Sequence, residues 1–153
     1  MAGKRYTLTS YLLTIKIPES LGFGETIITI GGPQSYTDSI TISQDNALFD
    51  IESDATGSYT YTKNLAKNGK IEISLSQVSD AIAKFKKLMN IYYQAEREVE
   101  GLELILSDTG TTNKTVICTC KDCLVSEIPS QEFGDKPGKQ KWTLLSGYID
   151  FAD

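Results

Sequence analysis

Lys70-Ile-Glu-Ile-Ser-Leu75 runs straight into Ser76-Gln-Val-Ser-Asp-Ala-Ile-Ala-Lys-Phe-Lys-Lys-Leu-Met-Asn-Ile-Tyr92, and the apolar period changes between them. In the first segment Ile71, Ile73 and Leu75 alternate with Lys70, Glu72 and Ser74. A period of two puts the three aliphatic side chains on one face of a strand. In the second, Val78, Ala81, Ile82, Phe85, Leu88, Met89 and Tyr92 recur at steps of three and four, which is one stripe of a helix. Ser79 or Asp80 stands where an N-cap belongs. Lys84, Lys86 and Lys87 lie mostly off the stripe. The pattern predicts a helix of about four to five turns that fades before Gly101.

Working outward, everything else reads as strand or turn. Tyr6 to Ile17 is a strand stopped by Pro18, Leu21-Gly-Phe-Gly24 a turn, and Glu25 to Ile30 a strand broken by Gly31-Gly-Pro33. Short strands follow at Ser39–Ser43 and Leu48–Ile51, separated by Gln44-Asp-Asn46. Gly57 to Thr62 alternates Tyr and Thr, both good strand formers. Beyond the helix, Leu102–Leu106 and Thr115–Cys120 flank a polar turn with Gly110 and predict a hairpin. Pro129 to Gly138 is a loop, and Gln140–Leu145 and Tyr148–Phe151 close the chain as strands. The expected class is mainly β with one α-helix (α+β), a β-sandwich or small barrel with a flanking helix, in a single domain over 1–153.

At 153 residues such a domain can bury roughly 70% of its unfolded surface and needs no staples. Net charge is −5 and the isoelectric point about 4.8, a poor balance for gripping phosphates, which takes clustered Lys and Arg. No apolar run approaches the ~20 residues of a membrane span. The opening MAGKRYTLTSYLLTIKIPES interleaves its apolar residues with Thr and Ser, so it is read as a strand of a cytosolic chain and not as a signal peptide. There is no histidine. That removes the commonest general base, the Ser-His and Cys-His nucleophile pairs and the commonest metal ligand. No carboxylate pair stands out either. The chain is expected not to be an enzyme and to carry no cofactor.

All three cysteines fall in Val116-Ile-Cys-Thr-Cys-Lys-Asp-Cys-Leu-Val125. Structural zinc takes four ligands, usually from two separated pairs, and this chain has no second pair. Val116, Cys118 and Cys120 alternate as strand residues do, and free Cys packs like a small hydrophobe. The cluster is therefore read as strand core, with no metal site. Tyr36, Tyr59 and Tyr61 lack basic neighbours in sequence and are read as packing tyrosines, not as a stacking platform for nucleic acid.

Charge is unevenly placed. Between Ile17 and Thr62 stand seven acids (Glu19, Glu25, Asp38, Asp45, Asp50, Glu52 and Asp54) and no Lys or Arg. Basic residues gather on the helix and at Lys136, Lys139 and Lys141. Such polarity can steer copies head to tail.

The order of elements resembles the tail tube proteins of contractile-tailed bacteriophages. The likeness covers most of the chain from about Ser10. It is most specific from Asn68 to Ser79, and from Cys123-Leu-Val-Ser-Glu-Ile-Pro129 through Phe133-Gly134 to Trp142. The helix here is long and lysine-bearing, and Gly31 to Thr37 looks like an insertion. The resemblance implies a tail-tube-like domain whose copies form hexameric rings that stack into the hollow inner tube of a contractile tail. The partners implied are the sheath protein, a baseplate or tube initiator and a tail terminator. DNA passes through on ejection without specific binding. The place implied is the virion tail, assembled in the host cytoplasm. Similar tubes occur in tailocins and type VI-like secretion machines, which are the alternative, together with a small β-barrel ligand-binding protein. In the tube reading, Asp38, Asp45, Asp50, Glu52 and Asp54 are the candidates for lumen or inter-ring acids. The stretch Asp45 to Asn68 is the candidate arm between rings.

Overall fold

The computed structural model describes residues 11–31, 37–77, 79–96, 98–108, 115–131, 133–136 and 138–151. The strands are β1 (Tyr11–Lys16), β2 (Ile27–Gly31), β3 (Thr37–Gln44), β4 (Phe49–Ser53), β5 (Tyr59–Lys63), β6 (Gly69–Ser76), β7 (Leu102–Asp108), β8 (Thr115–Val125) and β9 (Lys139–Asp150). The helix α1 (Asp80–Gln94) lies between β6 and β7. The period change at Ser76 is thus the strand-to-helix junction. Ser79 is the N-cap, its hydroxyl accepting the Ala81 N–H at 3.4 Å, while Asp80 opens the first turn, where a negative charge suits the helix dipole. Val78, counted in the helical stripe, lies outside the described residues, as do Tyr6 to Ser10.

Seven strands form one antiparallel sheet in the order β2-β1-β7-β8-β9-β6-β3, and β4 and β5 form a separate two-stranded hairpin. The α+β class expected from sequence is what is found, but the sheet is open and not a closed barrel, with β2 and β3 at its edges. The reason is visible in α1. Its stripe of Ala81, Ile82, Phe85, Leu88 and Met89 is buried, so an apolar sheet face is covered by a helix and has no need to close on itself. The last two predicted strands are one strand, β9, which runs through Ser146-Gly147 without a turn.

The inward residues of β6 (Ile71, Ile73, Leu75), β7 (Leu102, Leu104) and β9 (Trp142, Leu144, Ile149) share one core with Leu13, Ile15, Ile28 and Ile30. Trp142 and Phe85 are fully buried with ring centroids 5.3 Å apart. The indole N–H donates to Gln140 Oε1 at 3.2 Å, so the one polar atom of Trp142 is satisfied inside the core. Gln140 Nε2 then donates to Gln131 Oε1 at 2.8 Å, and Lys86 Nζ reaches the same oxygen at 3.3 Å. The chain from indole to helix lysine pins the loop before β9. Replacing Trp142 by Ala removes both the packing and the anchor of this chain. The expected loss is about 3–5 kcal/mol of unfolding free energy, measured by chemical denaturation. A loss under about 1 kcal/mol would contradict the core assignment.

Candidate functional site: the exposed hairpin arm

The cysteines resolve first. Cys118, Cys120 and Cys123 are free thiols and all buried, with the sulfurs of Cys118 and Cys120 3.7 Å apart. The strand-core reading holds for all three, but simple alternation would turn Cys123 outward. A bulge reverses it: Leu102 and Leu104 of β7 face Cys123 and Cys120, so β8 carries an extra residue there. Asp122 takes it up with φ 54, a left-handed conformation that Asp tolerates better than most side chains. Gly101 makes room for it. A Cβ on Gly101 would lie 2.6 Å from Asp122 Cα, and Gly147 sits beside the Asp122 carboxylate. Ser146 stitches the interrupted ladder, its hydroxyl lying 3.0 Å from the Lys121 carbonyl and accepting the Tyr148 N–H at 3.3 Å.

Burial raises the pKa of each thiol, that of Cys123 to about 11. Groups held so far toward the thiol are poor nucleophiles and poor metal ligands. The acids of the Ile17–Thr62 stretch are dispersed instead of gathered. Asp38 is in β3, at the slip in register between Thr37 and Ser39; its side chain is outside the described residues. Asp45 follows β3, its N–H on the Asn68 carbonyl at 3.0 Å, and braces the place where the chain leaves the sheet. Asp54 builds a turn: its Oδ1 accepts the Thr56 hydroxyl at 2.6 Å, the Thr56 N–H at 2.9 Å and the Ser58 N–H at 3.1 Å. Those bonds, the Thr56 hydroxyl foremost, hold its pKa below the usual carboxylate value.

Asp50 and Glu52 stand on β4, in the hairpin expected as an arm. Every residue of β4 and β5 is exposed. Register sorts them into two faces. Asp50 pairs with Thr62 and Glu52 with Thr60, an acidic and hydroxyl face. Phe49, Ile51 and Ser53 pair with Lys63, Tyr61 and Tyr59 on the other. There Phe49, Ile51, Tyr59 and Tyr61 are each more than half exposed, and the two tyrosine rings meet edge to face at 5.6 Å. The tyrosines therefore pack along one strand, while Tyr36 lies outside the described residues. The apolar face is what sequence reading missed, because the stretch looks poor in apolar residues after Ile51. Its signal was the alternation Phe49/Ile51 and Tyr59/Tyr61 about the turn at Asp54-Ala-Thr-Gly57.

Among the described residues, the arm's hydrogen bonds to the rest of the chain lie at its root. Asn64 N–H donates to the Leu48 carbonyl at 2.8 Å, and Asn46 Nδ2 to Asn68 Oδ1 at 2.9 Å. The helix lysines, by contrast, serve their own chain. Lys84 pairs with Glu25 at 3.2 Å, and Lys87 donates to the Phe23 carbonyl at 2.7 Å while lying over the Phe23 ring. A cleft of about 730 Å³ at the end of α1 has Leu21, Ile91 and Val99 in its lining beside Glu96, Glu98 and Glu100. It is open and acid-rimmed, unlike the apolar pocket that a ligand-binding barrel requires.

No protein-family model matches the sequence, and no curated protein sequence matches it. Solved structures do match. A chain in the sixfold-symmetrised baseplate of the anti-feeding prophage superimposes with TM-score 0.61 at 7% identity, over 99% of this chain and 97% of that one. A chain in the PVC sheath/tube terminator of an extracellular contractile injection system gives 0.59 at 12% identity, over 100% of both. A chain in the tube-terminating cap of the anti-feeding prophage gives 0.52 at 13% identity, over 99% and 96%. The chain shares its fold with parts of contractile injection particles.

Two outcomes test the cysteine strand. Gly101→Ala should cost about 1–3 kcal/mol, because the new methyl meets the Asp122 backbone as well as its carboxylate, and the backbone cannot swing away. Cys123 titrates near 9 in the unfolded chain and near 11 in the folded one. The folded state therefore holds the proton more tightly, and stability that is complete below pH 9 should fall as pH rises toward 11. Cys123→Ala should make that part of the pH–stability curve shallower, the buried Cys118 and Cys120 thiols keeping the remaining slope.

Proposed function

We propose that this chain is a structural tube subunit of a contractile-tail particle. Copies close into hexameric rings, and the rings stack into the hollow inner tube inside a sheath. The chain is a building block and not an enzyme. Its working place is the tail of a phage virion or the equivalent tailocin or secretion particle, after assembly in the producing cell's cytoplasm. The sheath protein, a baseplate or tube initiator and a terminator are its partners. In a phage, DNA passes along the lumen without specific binding.

One observation carries this reading: a wholly exposed two-stranded arm with an aromatic and aliphatic face. An isolated hairpin is marginal in water. An apolar face left uncovered marks a surface meant for a partner. Among the described residues β2 and β3 are the edge strands of the sheet, and free edges support ring closure, since they suit a head-to-tail contact that repeats. Of the acids, Asp50 and Glu52 are assigned to the wet face of the arm, lining the lumen or meeting the next ring. Asp45 braces the arm's root and Asp54 shapes its tip. Asp38 is retained from its place on the edge strand β3.

A second reading takes its support from the neighbours in a sheath/tube terminator, a tube-terminating cap and a baseplate, while a further neighbour in a sheath-tube complex suits the first. In it the chain forms one ring at an end of the tube. Electron microscopy of the purified protein, with its mass taken by light scattering, separates the two. Hollow tubes that lengthen with concentration are expected of a tube subunit, and a single ring of a terminator or baseplate component. Ile51→Ser with Tyr61→Ser should leave the thermal midpoint unchanged, since both side chains are exposed, and should abolish assembly. A wild-type chain that stays monomeric even when offered preformed tube ends would sink both.

A further inference from the structure

The open face of the sheet carries a basic and aromatic patch that sequence order hides. Tyr148 of β9 pairs with Lys121 of β8, and Lys67 Nζ lies 5.2 Å from the Tyr148 ring centroid. Lys67 is held there by its backbone, whose carbonyl accepts the Ile149 N–H at 2.8 Å. One step along, Lys70 pairs with Leu145, and both are exposed. None of the three lysines has an ion pair among the described residues, whereas Lys141 on the same sheet is paired to Glu72 at 2.9 Å. A shallow cleft of about 320 Å³ opens between Tyr148, Lys121, Thr119 and Asp150. Two ammonium groups, Lys67 and Lys121, flank the exposed phenol, Lys70 lies further along the same face, and Asp150 is the one acid in the cleft's lining; the balance favours an acidic, hydrogen-bonding surface.

We propose that the patch Lys67–Lys70–Lys121–Tyr148 receives the acidic face of the arm of a second copy of this chain. The inference rests on the reading that the arm joins subunits, and it names where the arm lands. The occupant is argued from complementarity. The arm presents Asp50 and Glu52 with Thr60 and Thr62 on one face, and no basic side chain shares that face. The hydroxyls accept and donate toward the Tyr148 phenol, and the carboxylates face the ammonium groups. Charge-assisted bonds of this kind are shorter and stronger than neutral ones. Patch and arm do not meet within one chain, where every β4 and β5 residue is exposed. The contact is therefore between unlike surfaces of two copies, the type that propagates. The aromatic face of the arm stays free to bury itself elsewhere in the joint.

The test is zero-length carbodiimide cross-linking of the full chain, using a mixture of 14N- and 15N-labelled protein so that links between copies are recognised by mass. Expected are mixed-isotope links from Lys67, Lys70 or Lys121 to Asp50 or Glu52. Lys67→Glu with Lys121→Glu should weaken association about tenfold or more, and Asp50→Lys with Glu52→Lys should do the same. Mixing the two charge-reversed proteins should restore it. Assembled particles whose arm acids link only to other lysines would overturn the docking site and leave the tube reading standing. Absence of any link between copies would overturn both. If duplex DNA, and not a second copy, protects these lysines from modification, the patch is a polyanion contact and the proposal fails.

Discussion

The packing of Phe85 against Trp142, two rings tilted by 37°, is the contact on which the rest of the molecule depends. It joins the middle of α1 to the middle of β9, the strand that pairs with both β8 and β6. Burying two such rings supplies several kcal/mol in one place. It also sets orientation, because the indole N–H must find Gln140, and through Gln140 the chain finds Gln131 and Lys86. With one face of the sheet covered in this way, Lys70, Lys121, Leu145 and Tyr148 on the other stay exposed among the described residues.

Around that contact the sheet is adjusted by one residue. Asp122 adds a bulge in β8, and the consequences spread: Cys123 turns inward, Gly101 must stay small, and the Ser146 hydroxyl bonds the backbone beside the interruption. The same adjustment leaves Lys121 and Tyr148 exposed side by side on the open face. A bulge that serves the core therefore also shapes the surface.

The arm is built on the opposite principle. Its bonds are local, with Asp54 organising the tip and Asn46, Asn64 and Asn68 the root. Its side chains bury almost nothing within the chain. Local hydrogen bonding can define such a hairpin's shape but contributes little stability, which is why the proposed function has a partner surface complete it. A rigid sheet that carries an incomplete arm suits a subunit whose folding and assembly are separate steps.

Much of this was legible in residue order. The period change at Ser76 located β6 and α1, and the inward triplet Ile71, Ile73 and Leu75 was readable because burial on one face imposes a strict period of two. The cysteines were identifiable as strand residues for the same reason, and the candidate acids were visible as a run without bases. Periodicity reports one face of one element and says nothing of which elements become neighbours. Hence the sequence by itself determined the α+β class, the helix with its cap, and the pattern of core residues. Only the tertiary structure decided that the sheet stays open under α1, that Cys123 turns inward at a bulge, and that the acids are dispersed while Lys67, Lys121 and Tyr148 converge. These outcomes depend on pairing between strands far apart in the chain, where register, and not local pattern, chooses what each side chain meets.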